Sequence, residues 1–182
     1  MNIHIVTQTF PPRIGGMQTL MYSVAKGLRK KRKEIFVYPD HSFNLMNNFT
    51  VYHIASPKVF RPFIKKVLLK NYSNENDVVI CDTWKSVYAV PKRMKNIICF
   101  AIGQEFLKDK QDKNITKLQT AFDRCKYIVS ITKFTENLLV SKCFIDSNKL
   151  RVIFPTFSIK APKKLILKKG SPIKLISICR IE

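Results

Sequence analysis

Residues 3–28, IHIVTQTFPPRIGGMQTLMYSVAKGL, contain a short apolar run, a loop with paired prolines and paired glycines, and a helical stripe. Ile3–Thr7 reads as a strand buried on both faces, because Ile and Val dominate it without strict alternation. Met17, Leu20, Met21, Val24, Ala25 and Leu28 recur at i, i+3, i+4, i+7, i+8 and i+11, the spacing of one face of an α-helix. That face has to pack on a sheet. A strand, a glycine loop and a helix in this order are the opening of a strand-crossover-strand unit.

The same alternation continues along the chain. Further apolar runs lie at Ile35–Tyr38, Val51–Ala55, Val78–Cys81, Ile97–Ile102, Tyr127–Ile131 and Val152–Phe154, each rich in Val, Ile and Phe. A second stripe, Phe60, Phe63, Ile64, Val67 and Leu68, follows the third run, and Phe134 with Leu138 marks a helix after the sixth. Strands interleaved with helices predict an α/β fold, a Rossmann-like open parallel sheet with helices on both faces. After Pro155 the stretch TFSIKAPKKLILKKGSP, residues 156–172, reads as an interdomain linker. Ile173–Cys179 then begins another strand, so the expected organisation is a domain over 1–155, a linker over 156–172 and the first strand of a second domain over 173–182.

Composition narrows the function classes. The chain has 182 residues, 46% of them apolar and 13 of them Phe, enough to build a core. Lys and Arg number 33 against 12 Asp and Glu, for a net charge of +21. Nucleic acid, an anionic membrane leaflet and phosphate-bearing small molecules all fit such a charge, as does codon bias in an AT-rich genome. No basic-aromatic platform or recognition-helix pattern is present, which argues against nucleic acid. Cys81, Cys99, Cys125, Cys143 and Cys179 are widely spaced and never form a C-x-x-C, so reduced buried thiols are expected rather than a disulfide framework or a zinc site. His4, His41 and His53 share no metal-like spacing. The N-terminus lacks the basic and long apolar regions of a secretory signal, and no apolar run approaches the roughly 20 residues that span a bilayer. The expectation is a cytoplasmic protein with at most peripheral contact on the inner face of a membrane.

Gln8–Thr19, QTFPPRIGGMQT, carries the most chemistry. It falls between the first strand and the first helix, at the carboxyl edge where open α/β sheets bind ligands. Gly15 and Gly16 let a ligand approach the backbone, and the amides that open the helix face an anion with the helix dipole behind them. A phosphate or carboxylate site is one reading; a tight turn is the other. The G-x-G-x-x-G dinucleotide fingerprint is absent, which disfavours a nicotinamide dehydrogenase.

FPPRIGGMQTLMYSVAKGLRKKRKEIFVY, residues 10–38, resembles the opening of the family 4 glycosyltransferases of the two-domain GT-B type. GQEF at 103–106 resembles the family's loop after strand five, CKYIVSITKFTENLLV at 125–140 its Val-Ser-x-x-Thr segment, and KLRVIFPTF at 149–157 its Val-Ile-Pro run. ISICRIE, at the C-terminus, resembles the first strand of the second domain. The resemblance runs end to end and covers the first half of the family's length. It implies a retaining glycosyltransferase in which this half binds chiefly the acceptor, a glycan or a lipid-linked molecule, while the other half holds most of the nucleotide-sugar donor. Gly15 and Gly16 would face the donor's diphosphate, and Arg180 matches the Arg that neutralises it. Neither a cofactor nor a metal is implied, and no catalytic residue is assigned. Ile102 stands where many members have His, Phe157 where they have Gly, and the second-domain Lys and Glu motif would lie beyond Glu182. This chain alone is therefore expected to be inactive.

Other residues admit two readings. Arg13 and Gln18 beside the glycines, and Gln104 and Glu105 after the fifth run, are candidate sugar or acceptor contacts. Asp82 could bind a hydroxyl with Trp84 stacking on a sugar, or Asp82 or Thr83 could cap the next helix while Trp84 packs against it. Thr132 could contact a ligand or cap a helix. The stripe Phe60–Leu68, flanked by Lys58, Arg61, Lys65, Lys66 and Lys70, could lie on an anionic bilayer, or could pack its apolar face on the sheet with its lysines in water. The competing function is a non-catalytic basic α/β module that binds a phosphorylated ligand or a membrane surface.

Overall fold

The computed structural model describes residues 1–31, 34–40, 49–54, 56–103 and 112–155. Seven strands form one sheet: β1 Ile3–Val6, β2 Ile35–Tyr38, β3 Thr50–Val51, β4 Val78–Cys81, β5 Ile97–Ala101, β6 Tyr127–Ser130 and β7 Leu150–Val152. Their spatial order is β3-β2-β1-β4-β5-β6-β7, and every pairing is parallel. The Rossmann-like α/β fold expected from the alternating pattern is the fold observed. The order reverses direction beside β1, where the chain moves from the β2 side to the β4 side, and the carboxyl edge at such a switch point is where open α/β sheets bind ligands.

Five helices accompany the sheet among the described residues: α1 Gly16–Lys30, α2 Arg61–Tyr72, α3 Trp84–Val87, α4 Asp112–Asp123 and α5 Lys133–Cys143. The pleat splits the apolar residues into two layers. Ile3, Ile5, Ile35, Val37, Ile80 and Phe100 face Met21 and Ala25 of α1. Val6, Tyr38, Val79, Cys81, Cys99 and Ile128 share the opposite layer with Leu69 of α2, Val87 of α3, Phe122 of α4 and Leu139 of α5. The α1 stripe read from the sequence is thus the face that packs.

Three local features differ from the sequence reading. The last strand begins at Leu150 rather than Val152, because Leu150 supplies the buried inward side chain while Phe154 is exposed. α4 has no counterpart in the sequence reading. The α2 stripe is rotated: Lys65 and Leu69 are buried, whereas Phe60, Phe63 and Val67 are exposed. Cys81, Cys99, Cys125 and Cys143 are buried free thiols, as expected. The linker, the strand at Ile173–Cys179 and Cys179 itself lie outside the described residues.

Candidate functional site

The register of β1 and β4 sets Val6 opposite Cys81, so the residues that follow, Thr7 and Asp82, meet at the carboxyl edge. Asp82 is 1% exposed. Its carboxyl receives the Ser86 hydroxyl at 2.5 Å and the Gln8 amide at 2.6 Å, and lies 2.9 Å from the Thr7 hydroxyl. Burial pushes its pKa above the usual carboxylate range, although the Ser86, Gln8 and Thr7 hydrogen bonds pull the other way. Thr7 Oγ1 also lies 2.7 Å from the carbonyl of Thr9, so one hydroxyl proton faces two acceptors. Asp82 therefore fastens the start of the glycine loop to the end of β4.

Phe10 fixes the middle of the loop. It is buried, and it meets Tyr22 and Phe49 edge to face at 6.1 and 6.4 Å. The chain then passes through a cis Pro11–Pro12 bond to Arg13 and Ile14, both exposed. Gly15 is the N-cap of α1 and gives it no side-chain hydrogen bond, and no acidic residue occupies the first turn. Among the described residues no side chain caps the amide end of α1, which the helix dipole makes electropositive. A Cβ at Gly16 would meet nothing within 4 Å. A Cβ at Gly15 would run into the side-chain amide of Gln18, which folds back over the glycine. Gly15, Gly16 and Gln18 thus lie together at the start of α1, and Arg13 is exposed two residues before Gly15.

On the β2 side, Lys65 reaches in from α2. Its ammonium donates to the Thr7 carbonyl at 2.8 Å and is paired with Asp40, which follows β2. Arg61 lies 3.9 Å from the same carboxylate and donates to the Ser56 carbonyl at 2.9 Å. An otherwise costly buried amine is thereby paired and hydrogen-bonded. The result clamps α2, β1 and β2 at the edge from which the glycine loop starts.

On the β6 side, Thr132 is the N-cap of α5 and accepts from the Thr135 amide at 3.1 Å. Its capping reading is therefore the one observed. Gly103, after β5, has φ 96° and faces Thr135, where a Cβ would come within 2.9 Å of Oγ1. Trp84 begins α3, half-buried against the core, with Tyr88 at 6.1 Å edge to face. Thr83 occupies the α3 N-cap position without a side-chain cap. Gln104, Glu105 and Arg180 lie outside the described residues.

The sequence reading overlooked Thr7, Asp40 and the burial of Lys65. One signal was available: in a doubly wound sheet the residues just past β1 and β4 are neighbours, so Thr7 and Asp82 form a pair once the strand order is assumed. It also passed over the network around His4, which is buried, 3.0 Å from the Tyr38 hydroxyl and 3.3 Å from Asp77. Among the described residues, no group of three or more His, Cys, Asp or Glu could hold a metal ion.

No family model matches the sequence, and no curated protein matches it. The fold does have counterparts, with 24 solved chains matching it. One is the crystal structure of Anabaena Alr3699/HepE in complex with UDP, with TM-score 0.58 and 12% identity over 86% of this chain. The match covers 44% of the HepE chain, so this chain spans less than half of that protein's length. At this identity the likeness is one of fold: a Rossmann-like sheet of the kind that, in HepE, belongs to a protein solved with a nucleoside diphosphate.

Proposed function

We propose that this chain is the acceptor-side half of a retaining glycosyltransferase, resembling family 4 of the GT-B type, which moves a sugar from a nucleotide-sugar donor to a glycan or lipid-linked acceptor. One observation carries the reading: α1 begins on Gly15 and Gly16 at the switch point, with no side-chain cap, no acidic first turn and open space over Gly16. Such an end suits the diphosphate of a nucleotide-sugar, whose negative charge grows as the sugar leaves. The fold shared with UDP-bound HepE supports the choice of a nucleoside diphosphate over other anions. Arg180 is assigned to the same diphosphate, and Arg13, Gln18, Gln104 and Glu105 to the sugar or acceptor. Asp82 and Thr132 take positioning roles, because the chain's own groups already engage their side chains.

In a two-domain transferase, holding donor and acceptor together supplies about 7–11 kcal/mol of the barrier, so this half by itself transfers no sugar. The competing non-catalytic module would bind phosphate through the same glycines yet give no turnover in any longer form of the chain. The test is ligand-observed NMR on the 182-residue protein with UDP-glucose, using pyrophosphate and uridine as competitors. Displacement by pyrophosphate but not by uridine is expected. Gly16→Val should weaken the signal tenfold or more and leave the melting temperature unchanged, since the added side chain enters open space. Equal binding by wild type and Gly16→Val would remove the glycines from the site.

A further inference from the structure

We propose that the outward face of α2 is a docking surface for an anionic lipid bilayer. The apolar residues on this face do not pack. Val59 is 84% exposed, Phe60 59%, Phe63 66% and Val67 39%, and the last three follow helical spacing along one side of α2. Burying two phenylalanines and two valines is worth several kcal/mol that folding leaves unused. The helix cannot turn this face inward, because Lys65, on the opposite side, is held by Asp40 and the Thr7 carbonyl. The exposure is thus enforced by a buried polar clamp.

The charge around the patch selects the occupant. Lys58 and Lys70 are exposed beside the apolar residues and Lys66 is half-buried. No Asp or Glu occurs between Asp40 and Glu75. The first turn of α2 carries no acid either, although one would favour the helix dipole there. A greasy strip edged by cations, on a helix that carries no acidic residue, matches an acyl boundary beneath anionic headgroups, with the apolar face entering about 5–10 Å. The location adds to this: Arg61 and Lys65 tie the N-terminal half of α2 to the carboxyl edge, so a bilayer touching Phe60 and Phe63 lies beside that edge. If the transferase reading holds, on which this last step rests, the acceptor is a lipid-borne molecule delivered from that surface.

The experiment is flotation of the 182-residue protein with phosphatidylcholine vesicles, with and without one-quarter phosphatidylglycerol. It needs no sugar donor, so its outcome is independent of catalysis. Binding should require the anionic lipid. Phe60→Ser/Phe63→Ser should abolish binding with an unchanged melting temperature, because both rings are already in water. Lys66→Glu/Lys70→Glu should weaken it by more than about 25-fold, since losing each lysine's charge costs about fivefold and each glutamate adds repulsion. Lys26→Glu/Lys30→Glu on α1, which packs on the other face of the sheet, should leave it within about twofold. Equal losses from the two charge-reversal pairs would show that net charge alone drives binding and would overturn the assignment. So would unaltered flotation of the Phe double variant, or no flotation together with a dimer in sedimentation that the Phe substitutions dissolve.

Discussion

Gly103 and Gly16 both lie at carboxyl-edge turns and answer to different constraints. Gly103 has φ 96°, in the left-handed region, and Thr135 Oγ1 stands 2.9 Å from where a Cβ would sit. Gly103→Ala should therefore cost about 1–3 kcal/mol, read as a lower urea midpoint with an unchanged slope. Gly16 has neither constraint, and a Cβ there would meet nothing within 4 Å. The place of the Gly-Gly pair was legible in the sequence because it depends on local position, between a strand and a helix. Asp82 was only half legible. Its place at the end of β4 could be read, but a carboxylate turned inward onto Thr7, Gln8 and Ser86 depends on a neighbour 74 or 75 residues away in the chain.

At the scale of elements, α1 and α2 show where periodicity succeeds and where it fails. The six apolar positions of α1 lie on one face, and that face packs. α2 has a comparable stripe, yet its rotation is set by the Lys65 clamp, and hydrophobic spacing does not encode a partner such as Asp40. Replacing Lys65 with Met should cost about 1.5–3 kcal/mol, the range for hydrogen bonds to a charged group, since Asp40 and the Thr7 carbonyl both lose their partner. Thermal melts of Lys65→Met and of Lys66→Met, whose side chain is outside the clamp, measure the difference. α4 escaped notice because Ile115, Leu118 and Phe122 are diluted among polar residues. β3 and β7 are short edge strands whose limits follow from pairing with β2 and β6 rather than from their own composition.

For the molecule as a whole, stability should depend on pH through the His4 network. Burial lowers the His4 pKa below its ordinary 6.5, against the raising influence of Asp77. Burial raises the Asp77 pKa, but the Asn74 and Asn2 amides and His4 outweigh it and hold the carboxyl below its ordinary 3.8. Both groups bind protons more readily unfolded than folded, so their contribution is present at neutral pH. The His4 part is lost as pH falls below 6.5, and the Asp77 part as pH falls below 3.8. Asp82, whose pKa is raised, has the opposite sign and opposes the loss only above 3.8. Melting temperature should therefore fall between pH 6.5 and 5, and His4→Gln should flatten that limb. An unchanged slope in His4→Gln would place the titrating group elsewhere.

The central claim is that the Gly15–Gly16 end of α1 binds the diphosphate of a nucleotide-sugar, and the small number of glycines allows a direct measurement. The chain has five, so protein labelled with 15N at glycine alone gives five amide signals, resolvable even when affinity is weak. Titration with UDP should move the Gly15 and Gly16 signals together, saturably, while Gly27 in the body of α1 stays in place. Uridine at the same concentrations should move neither. If UDP leaves Gly15 and Gly16 where they are, or shifts all five signals by similar amounts, the diphosphate does not bind at this helix end and the account is wrong.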